Sequence, residues 1–537
     1  MIEKTLGQVL DETAEKYPDN EALVYLNGPR YTYKQFKEIV DKVAKGLIKL
    51  GVKKGEHVAV WAYNVPEWVI LQFATAKVGA VLVTVNTYYK ANELEYLLKQ
   101  SDTKFLFLVD KFKDVSYIET LYKIMPEIKE NKKSEKFPYF EKAVYLGTKK
   151  FDGLLNFDDV INMGKDVKDE KLHSIEKSLK CHDVVNMQYT SGTTGFPKGV
   201  MLTHYNIINN AYWVGKYVGL SNKDRMCIPV PFFHCFGCVL STLNCVIYGA
   251  TMVPIEIFDA EKVLKAVDKE KCTALQGVPT MFIRELNHPD FKKYDLSSLR
   301  TGIMAGAPCP IEVMRRVMDD MHAKEITIAY GLTEASPVIT MTKRDDDIQK
   351  RVETVGKPLP HIDVKIIDPK TGNELPPNVP GELISRGYNT MKGYYKMPEA
   401  TADAIKNGWL HSKDLAVMDE DGYIKILGRI DDMIIRGGEN VYPREIEEFL
   451  YTHPKIKDVA VVGVPHSEYG EEVAAFIQLK EGMEANIDEI KQYCKENIAR
   501  YKIPKYIFFI NEWPMTASGK IQKFKLREIA KEKIGRK

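Results

Sequence analysis

The most informative segment of this sequence is Tyr189-Thr190-Ser191-Gly192-Thr193-Thr194-Gly195-Phe196-Pro197-Lys198-Gly199, which follows a strand-like run at 184–188. Its glycines and small hydroxyl residues allow backbone N–H groups and side-chain hydroxyls to surround a polyphosphate, and Lys198 supplies positive charge. The segment is not a Walker A loop, because that motif requires glycine before the lysine and serine or threonine after it. Here the lysine follows Pro197 and precedes Gly199. We therefore predict a phosphate-binding loop of another kind at the end of a strand.

Helical and strand-like segments alternate through the first half of the chain. Apolar residues recur at helical spacing from Tyr33 to Leu50, just before Gly51, and again from Pro66 to Val78. Alternation of helices with short apolar runs favours parallel βαβ units, so we predict an α/β fold. The predicted strands of this half are His57–Ala62, Ala80–Val85, Lys104–Val109 and Lys142–Leu146.

The chain is long enough to require more than one domain. Hydrophobic cores stop growing at roughly 250–300 residues, and this sequence has 537. The pattern changes near Asp431, so we predict an N-terminal domain at 1–430 and a small α+β C-terminal domain at 431–537. The elements predicted beyond the boundary are the helices Pro443–Tyr451 and Ile487–Ile498 and the strands Val459–Val464, Val473–Leu479 and Tyr506–Ile510.

Composition and charge limit the class of protein. The hydrophobic fraction of 45% and the charged fraction of 28% are ordinary for a globular protein. A net charge of +2 gives no general attraction to nucleic acid or to an anionic membrane. The 8 cysteines do not suggest a disulfide framework, and from the sequence we expect neither a signal peptide nor a membrane-spanning apolar run. We expect a cytoplasmic protein with no nucleic-acid partner and no transmembrane segment, and its oligomeric state, monomer or homodimer, stays open.

The chain resembles the adenylate-forming superfamily of acyl-CoA synthetases, luciferases and peptide-synthetase adenylation domains. The phosphate loop carries the resemblance first, and other motifs follow in the family's order along nearly the whole chain. The resemblance implies a large N-terminal domain of βαβ-type subdomains and a small mobile C-terminal domain, with ATP, Mg²⁺ and coenzyme A as cofactors or co-substrates. The other matching segments are Pro231–Gly237, Met304–Pro308, Tyr330–Glu334, Trp409–Asp414, Gly428–Asp431 and Pro514–Lys520.

The resemblance also implies a nucleotide site. Tyr330 would offer an aromatic face to adenine, and Asp414 and Arg429 would bind the ribose hydroxyls. The family usually has glycine before that aspartate, whereas this chain has Lys413, which puts the local backbone geometry in question. The residues implied to bind ATP or AMP are Thr190, Ser191, Gly192, Thr193, Thr194, Gly195, Lys198, Gly306, Ala307, Pro308, Tyr330, Gly331, Thr333, Asp414 and Arg429.

The chemistry of acid activation explains why such a site needs cations. Attack of a carboxylate on the α-phosphate of ATP gathers negative charge from both reactants, so positioned cations and donors matter more than an acid–base pair. Lys520 is the implied bridge between the carboxylate and the α-phosphate, although a lysine in a Ser-Gly-Lys turn is otherwise a solvated surface residue. Glu334 is the implied Mg²⁺ ligand, because Mg²⁺ prefers carboxylate and phosphate oxygens. The implied catalytic residues are Lys520, Thr333, Glu334 and His234.

Two further sites are implied by the resemblance, one for the acyl group and one for coenzyme A. His234 would stand at the mouth of the acyl pocket, although a histidine in an apolar segment is more often a core residue with satisfied hydrogen bonds. Rotation at a hinge at Asp431 would withdraw Lys520 and bring a glycine pair, whose backbone can approach pantetheine closely, to the site. The acyl-pocket residues are His234, Phe236, Gly237, Met304 and Ala305, and the coenzyme A and hinge residues are Asp431, Gly437, Gly438 and Glu439.

Three C-terminal segments, at 432–443, 502–506 and 519–528, are similar to medium-chain fatty-acyl-CoA ligases related to acyl-CoA synthetase family member 2. The predicted function is therefore an AMP-forming acid–thiol ligase that converts a fatty acid, ATP and coenzyme A into acyl-CoA. An aryl- or other carboxylate-CoA ligase on the same scaffold stays open as an alternative. A non-catalytic nucleotide- or acyl-binding protein is a more remote one, because Lys520, Glu334 and Asp414 are all present.

Overall fold

The computed structural model describes residues 1–190, 197–307, 309–436, 439–516 and 519–535, and many of its helices begin at a side-chain cap. The Thr32 hydroxyl accepts from the Gln35 N–H at 3.3 Å, and the Gln35 side chain accepts from the Thr32 N–H at 2.9 Å. This reciprocal capping box starts the helix that ends before Gly51, whose φ of +97° suits glycine. The α-helices are Leu6–Lys16, Tyr33–Leu50, Pro66–Lys77, Ala91–Gln100, Tyr117–Ile124, Phe157–Met163, Asp169–Ser178, His204–Val218, Cys235–Gly237, Asn244–Tyr248, Ala260–Glu270, Pro279–Leu286, Ile311–Asp320, Ile348–Glu353, Pro398–Ala404, Pro443–Tyr451, Ile487–Asn497 and Lys523–Gly535.

Short helices of other types complete the helical content. The π-helix Cys238–Leu243 connects two short α-helices directly after His234. Among the described ranges, none of the helices combines the length and the hydrophobicity that a bilayer crossing requires. The 3-10 helices are Pro126–Glu130, Gly164–Asp166, Phe291–Lys293, Thr333–Ala335, Ile430–Asp432 and Arg500–Lys502.

The first large sheet has nine strands and a parallel centre. Antiparallel pairings complete both of its edges. An N-terminal strand lies next to strands from the middle of the chain, so the spatial order differs from the sequence order. The order across the sheet is Lys357–Pro358, Val338–Met341, Thr327–Gly331, Thr301–Ala305, Ala274–Gly277, Arg225–Ile228, Thr251–Pro254, Glu21–Val24 and Arg30–Thr32.

The second large sheet has eight strands and also a parallel centre. Its antiparallel edge is formed by strands that flank the phosphate-loop segment and by a short strand from much later in the chain. The order is Gly393–Tyr394, Lys198–Thr203, Val184–Thr190, Val81–Thr84, His57–Trp61, Phe105–Leu108, Lys142–Tyr145 and Leu155–Asn156. A separate hairpin pairs Lys111–Phe112 with Val115–Ser116.

Two smaller five-stranded sheets follow. The third sheet is antiparallel and contains Ile362–Ile367, Gly381–Gly387, Ile405–Lys406, Trp409–Met418 and Ile424–Arg429. The C-terminal sheet contains Ile434–Arg436, Glu439–Val441, Ile456–His466, Gly470–Leu479 and Tyr506–Phe509, and only the last strand of this set pairs in parallel with its neighbour.

The apolar cores divide the chain into a large and a small part. One core contains buried side chains from Leu6 to Ile424, whereas two smaller cores use residues from Ile434 onward. The smaller cores lie on opposite faces of the C-terminal sheet, because alternate residues of its strands belong to different cores, as Val461 and Val462 do. The predicted boundary at 430/431 falls in the interval between the large core and the small ones.

The predicted α/β class, with a large N-terminal part and a small C-terminal part, is confirmed. The predicted helices Tyr33–Leu50 and Pro443–Tyr451 have the bounds that the sequence indicated. Two C-terminal strands begin earlier than predicted, at Ile456 and Gly470. The apolar pattern marked only their buried middle, whereas backbone pairing continues into polar residues.

One buried lysine joins four helices near the N-terminus. Lys77 is 1% exposed, and its Nζ lies 2.6 Å from Asp11, 2.8 Å from Asp41 and 3.0 Å from Glu176. Burial alone would lower the pKa of Lys77, but the three carboxylates raise it above its usual value. The lysine stem passes over Gly7, where an added Cβ would lie only 2.9 Å from the Lys77 Cγ.

Candidate active site

The carboxyl ends of parallel strands from both large sheets carry the predicted nucleotide motifs. Thr301–Ala305 leads into Gly306, Thr327–Gly331 ends on the Tyr330 segment, and Val184–Thr190 ends where the phosphate-loop motif begins. Ligands of open α/β sheets bind at this edge. The predicted residues Ser191, Gly192, Thr193, Thr194, Gly195, Pro308, Gly437 and Gly438 lie outside the described residues.

Asp414 is a buried carboxylate held by two partners. It is 7% exposed, the Tyr330 hydroxyl donates to its Oδ2 at 2.6 Å, and Arg429 donates to its Oδ1 at 2.9 Å. Burial raises the pKa of Asp414, and the attraction of Arg429 opposes that rise. The pKa of Arg429 is raised by Asp414 despite burial. The three predicted ribose and adenine residues therefore form one hydrogen-bonded group.

A bulge in the third sheet sets the backbone conformation just before Asp414. The register between Gly381–Gly387 and Trp409–Met418 shifts at this point, and Lys413 has a φ of +59°. The Ser412 hydroxyl accepts from the Asp414 N–H at 3.0 Å and donates to the Leu383 carbonyl at 2.6 Å. The left-handed backbone explains why glycine suits the position before the aspartate, and the bulge supplies this backbone with lysine instead.

We expect Lys413→Gly to raise the free energy of unfolding by up to about 1 kcal/mol, because left-handed strain of roughly 1–2 kcal/mol exceeds the added chain entropy of roughly 0.5–1 kcal/mol. Lys413→Ala is the matched control, since it removes the same charge but keeps the Cβ and the strain. Urea denaturation of both variants measures the difference. Equal stability of the two variants would contradict the strain argument.

Lys520 comes from the C-terminal part and is docked against the N-terminal part. The Thr280 hydroxyl donates to the Gly519 carbonyl at 3.0 Å. A Cβ added to Gly306 would lie 3.6 Å from the Lys520 Cε, so the lysine stem lies against that glycine. The Lys520 N–H donates to the Thr516 hydroxyl at 3.0 Å, which fixes the turn before the lysine.

The electrostatics of Lys520 link it to the other predicted residues. Burial lowers the pKa of Lys520, Asp414 raises it, Arg429 lowers it further, and Glu334 raises it. Burial is the larger cause and the charge of Lys520 the smaller one that together lower the pKa of His234 to about 3. The structure therefore brings together charged residues that are far apart in the sequence, and His234 is neutral beside them.

His234 caps the start of the short helix Cys235–Gly237, and one of its ring nitrogens is a hydrogen-bond acceptor. Its Nδ1 accepts from the Phe236 N–H at 3.2 Å, so the neutral ring carries its proton on Nε2. The turn is tied to the strand before the phosphate loop, because Gln188 accepts from the Cys235 thiol at 3.0 Å and donates to the Cys238 sulfur at 3.1 Å. Both cysteines are buried free thiols that hold the turn to this strand.

Four of the five predicted acyl-pocket residues are buried, and the fifth, His234, is half-buried. Met304 and Ala305 lie on the strand that leads to Gly306, and Phe236 lies in the short helix after His234. Gly237 approaches the backbone closely, since an added Cβ would lie 2.2 Å from the Pro231 carbonyl oxygen. The buried π-helix Cys238–Leu243 continues from the turn.

Glu334 lies in the 3-10 helix Thr333–Ala335, and its carboxylate has a partner that the sequence did not indicate. The Tyr394 hydroxyl donates to the Glu334 Oε1 at 2.8 Å. The Lys198 Nζ lies 5.0 Å from the centre of the Tyr394 ring. Within the described part of the chain, no other side chain donates to the Glu334 carboxylate, so its second oxygen fits a cation carried by a nucleotide.

The remaining predicted residues lie at the junction of the two parts. Asp431 is exposed and lies in the 3-10 helix Ile430–Asp432. Glu439 begins the strand Glu439–Val441. Ala307 follows Gly306, whose φ is +85°. Sequence reasoning missed Tyr394, Gln188 and Thr280, because their roles depend on contacts between distant segments.

Comparison with known proteins gives one family for both parts of the chain. The family model of the AMP-binding enzyme matches residues 10–395, and that of the AMP-binding enzyme C-terminal domain matches residues 445–520. The YngI protein of Bacillus subtilis (strain 168) is 57% identical, with 98% of this chain and 97% of that protein covered. The mitochondrial medium-chain acyl-CoA ligase ACSF2 of Danio rerio is 44% identical, with 99% and 89% covered.

A solved structure shows the same fold. The anthranilate CoA ligase AuaEII in complex with anthranoyl-AMP superposes with a TM-score of 0.87 at 28% identity, and 99% of this chain and 98% of that chain are covered. The match extends over both the large and the small part.

Proposed function

The chain belongs to the AMP-binding enzyme family, as an AMP-forming acyl-CoA synthetase, and we propose that its acid is a medium-chain fatty acid activated at the Lys520 site. The observation that carries the assignment of this site is the docking of Lys520 against Gly306, within electrostatic range of Asp414 and Glu334. That arrangement corresponds to the adenylate-forming step.

In the first step a carboxylate oxygen of the acid attacks the α-phosphorus of ATP, and the bond from that phosphorus to the pyrophosphate oxygen breaks. Lys520 stabilises the charge shared by the carboxylate and the α-phosphate. The Nε2 proton of His234 is available to the carboxylate, since Nδ1 is already an acceptor. Asp414 and Arg429 hold the ribose, and the face of Tyr330 packs on adenine. Thr333 donates to the α-phosphate.

Glu334 would hold the Mg²⁺ that arrives with ATP. The bound ion would neutralise part of the negative charge of the phosphates. The donor chemistry fits, because a single carboxylate with phosphate and water oxygens is a usual set for this ion. Among the residues that the structure describes, no group of three or more metal-ligating side chains is found.

In the second step the sulfur of coenzyme A attacks the acyl carbon, the bond from that carbon to the AMP oxygen breaks, and the thiol proton is lost. We propose domains at 1–430 and 431–537 and a rotation at Asp431 that withdraws Lys520 and brings Gly437, Gly438 and Glu439 to the acyl-adenylate. The separate apolar cores on the two sides of this position support the rotation.

Asp431→Pro is expected to spare acyl-adenylate formation and to slow thioester formation, because proline fixes the backbone φ at the proposed hinge. Asp431→Ala is the matched control that keeps backbone freedom. Pyrophosphate exchange measures the first step, and release of AMP with coenzyme A measures the second. A proline variant impaired only in the first step would contradict the hinge.

Two features support a fatty acid. The π-helix Cys238–Leu243 is buried and mostly apolar next to the His234 turn, and the Danio rerio relative is named as a medium-chain ligase. A second candidate is an aryl or polar acid, because the buried Gln276 Oε1 has no hydrogen-bond partner among the described residues. The Gln276 amide donates to the Leu240 carbonyl of the same π-helix, so its oxygen could accept from a polar substituent.

A panel of acids separates these candidates. AMP release that depends on coenzyme A is measured with straight-chain, branched and aromatic acids, and medium-chain aliphatic acids are expected to give the highest kcat/KM. Gln276→Leu should leave those acids nearly unaffected. A preference for amino-substituted aromatic acids that Gln276→Leu abolishes would establish the second candidate, and inactivity on all aliphatic acids would reject the first.

We also propose a cytoplasmic location. All eight cysteines are free thiols, and seven of them are buried. Free thiols fit a reducing compartment.

A further inference from the structure

Tyr394 touches two groups on which the proposed first step depends. Its hydroxyl donates to the Glu334 Oε1 at 2.8 Å, and its ring lies 5.0 Å from the Lys198 Nζ. The side chain is 8% exposed, so the hydroxyl and the ring are both held in a defined position. Glu334 is the proposed Mg²⁺ ligand, and Lys198 closes the phosphate-loop motif.

The register of the second sheet explains the contact with Lys198. The strand Gly393–Tyr394 pairs antiparallel with Lys198–Thr203, and Tyr394 is opposite Val200. Lys198 is two residues from Val200 and therefore lies on the same face as Tyr394, at the diagonal position where an aromatic ring can reach it. The Tyr394 N–H donates to the Thr401 hydroxyl at 2.9 Å, which fixes the strand from its other side.

The same segment also holds the backbone of Glu334. The Met391 N–H donates to the Glu334 carbonyl at 2.8 Å. The edge segment 391–394 thus contacts both the main chain and the carboxylate of Glu334. Tyr394 occupies one oxygen of this carboxylate, and no other side chain in the described part of the chain is hydrogen-bonded to it.

We propose that Tyr394 is a positioning residue that orients Glu334 toward the cation of the cation–ATP complex and Lys198 toward the phosphates. This inference rests on the proposed role of Glu334. Hydrogen bonds to metal-ligating groups fix their orientation, and loss of such a partner commonly costs about 10- to 100-fold in metal affinity. Tyr394 acts through Glu334 and Lys198, without touching the reacting atoms.

The neighbouring tyrosine provides a matched control. The Tyr395 hydroxyl donates to Asp102 at 2.8 Å, and its ring packs edge-on against His57 at 4.9 Å. Tyr395→Phe therefore removes an equivalent hydroxyl from the adjacent residue without touching the contacts of Glu334 or Lys198.

Binding of Mn²⁺, measured by electron paramagnetic resonance with a non-hydrolysable ATP analogue, tests the proposal without turnover. Tyr394→Phe is expected to weaken Mn²⁺ binding by about 10-fold or more, whereas Tyr395→Phe leaves it as in the parent protein. Equal effects of the two substitutions, or no effect of Tyr394→Phe, would overturn the proposal. Thermal unfolding midpoints of both variants are compared to exclude a loss of fold.

A double-substitution cycle separates this inference from the role of Glu334. Glu334→Gln should weaken Mn²⁺ binding, and adding Tyr394→Phe to it should then have no further effect. Unchanged binding in Glu334→Gln would reject the Glu334 role itself. Loss in Glu334→Gln together with parent-like binding in Tyr394→Phe would reject only the positioning role.

The contact with Lys198 has its own readout. Tyr394→Leu removes the ring as well as the hydroxyl, so it should also weaken binding of the ATP analogue in the absence of divalent cation, whereas Tyr394→Phe should not. Identical metal-free nucleotide affinities for the two variants would contradict the ring's role.

Discussion

Replacement of Lys520 by alanine is expected to slow acyl-adenylate formation roughly a hundred- to a thousand-fold, about the effect of removing one preorganised donor from a charged transition state. The lysine is docked where its Cε lies near Gly306, and the carboxylates Asp414 and Glu334 offset part of the desolvation of its ammonium. Water that enters the vacated space does not supply a fixed positive charge.

The same variant should convert supplied acyl-adenylate to acyl-CoA at close to the parent rate, because Lys520 is withdrawn in the proposed second step. Pyrophosphate exchange reports the first step, and thioester formation from synthetic acyl-adenylate reports the second. Lys525→Ala is the control, since Lys525 is exposed on the following helix. Equal losses in both steps would contradict a role of Lys520 that is specific to acyl-adenylate formation.

Replacement of Lys77 by methionine is expected to lower the free energy of unfolding by about 3 kcal/mol, because removing the buried ammonium leaves three partly buried carboxylates without their shared partner. Asp11, Asp41 and Glu176 come from three other helices and lie within 3.0 Å of Lys77 Nζ. Methionine fills a similar volume, so the loss reports charge more than packing. The control is Lys37→Met. The Lys37 side chain also pairs with Asp41 and Asp11 but is 33% exposed. Its replacement should therefore lower the free energy of unfolding by no more than about 1 kcal/mol.

The pH dependence of this loss has a definite sign. In the parent protein the pKa of Lys77 is raised in the folded state, so its contribution is complete below the usual lysine pKa and is lost only as pH rises through the raised value. In Lys77→Met the pKa of Glu176, which burial raises, loses the opposing charge of Lys77, so Glu176 binds a proton more readily in the folded state and the destabilisation shrinks at acid pH. Urea denaturation at acid and neutral pH measures this. A pH-independent loss, or no recovery on adding Glu176→Gln, would contradict the electrostatic explanation.

The resemblance to adenylate-forming enzymes is confirmed by the family matches over both parts of the chain. The predicted function as an acyl-CoA synthetase is confirmed by relatives that cover nearly all of it. The motifs were sufficient to identify the family because acid activation requires particular residue types within short segments. Each of these segments lies at a turn or a strand end, which can be recognised from neighbouring residues alone. The roles assigned to individual residues stay proposals until the variants are measured.

Local patterns in the sequence determined most elements and the large-plus-small division, because hydrophobic periodicity and capping act within one segment. Tyr33–Leu50 is an example, since its capping box and Gly51 are both adjacent to it. The order of strands in the two large sheets was not available in this way. It depends on which distant segments pack together, as the pairing of Gly393–Tyr394 with Lys198–Thr203 shows.

The phosphate-loop segment by itself predicted a polyphosphate-binding loop, because its glycines, small hydroxyl residues and lysine suit that ligand. Only the tertiary structure decided what supports that segment. It brought Tyr394 between Lys198 and Glu334, tied Gln188 to the His234 turn, and docked Lys520 beside Gly306. These contacts join segments that are not neighbours in the sequence, and side-chain direction there depends on sheet register and bulges that no local pattern specifies.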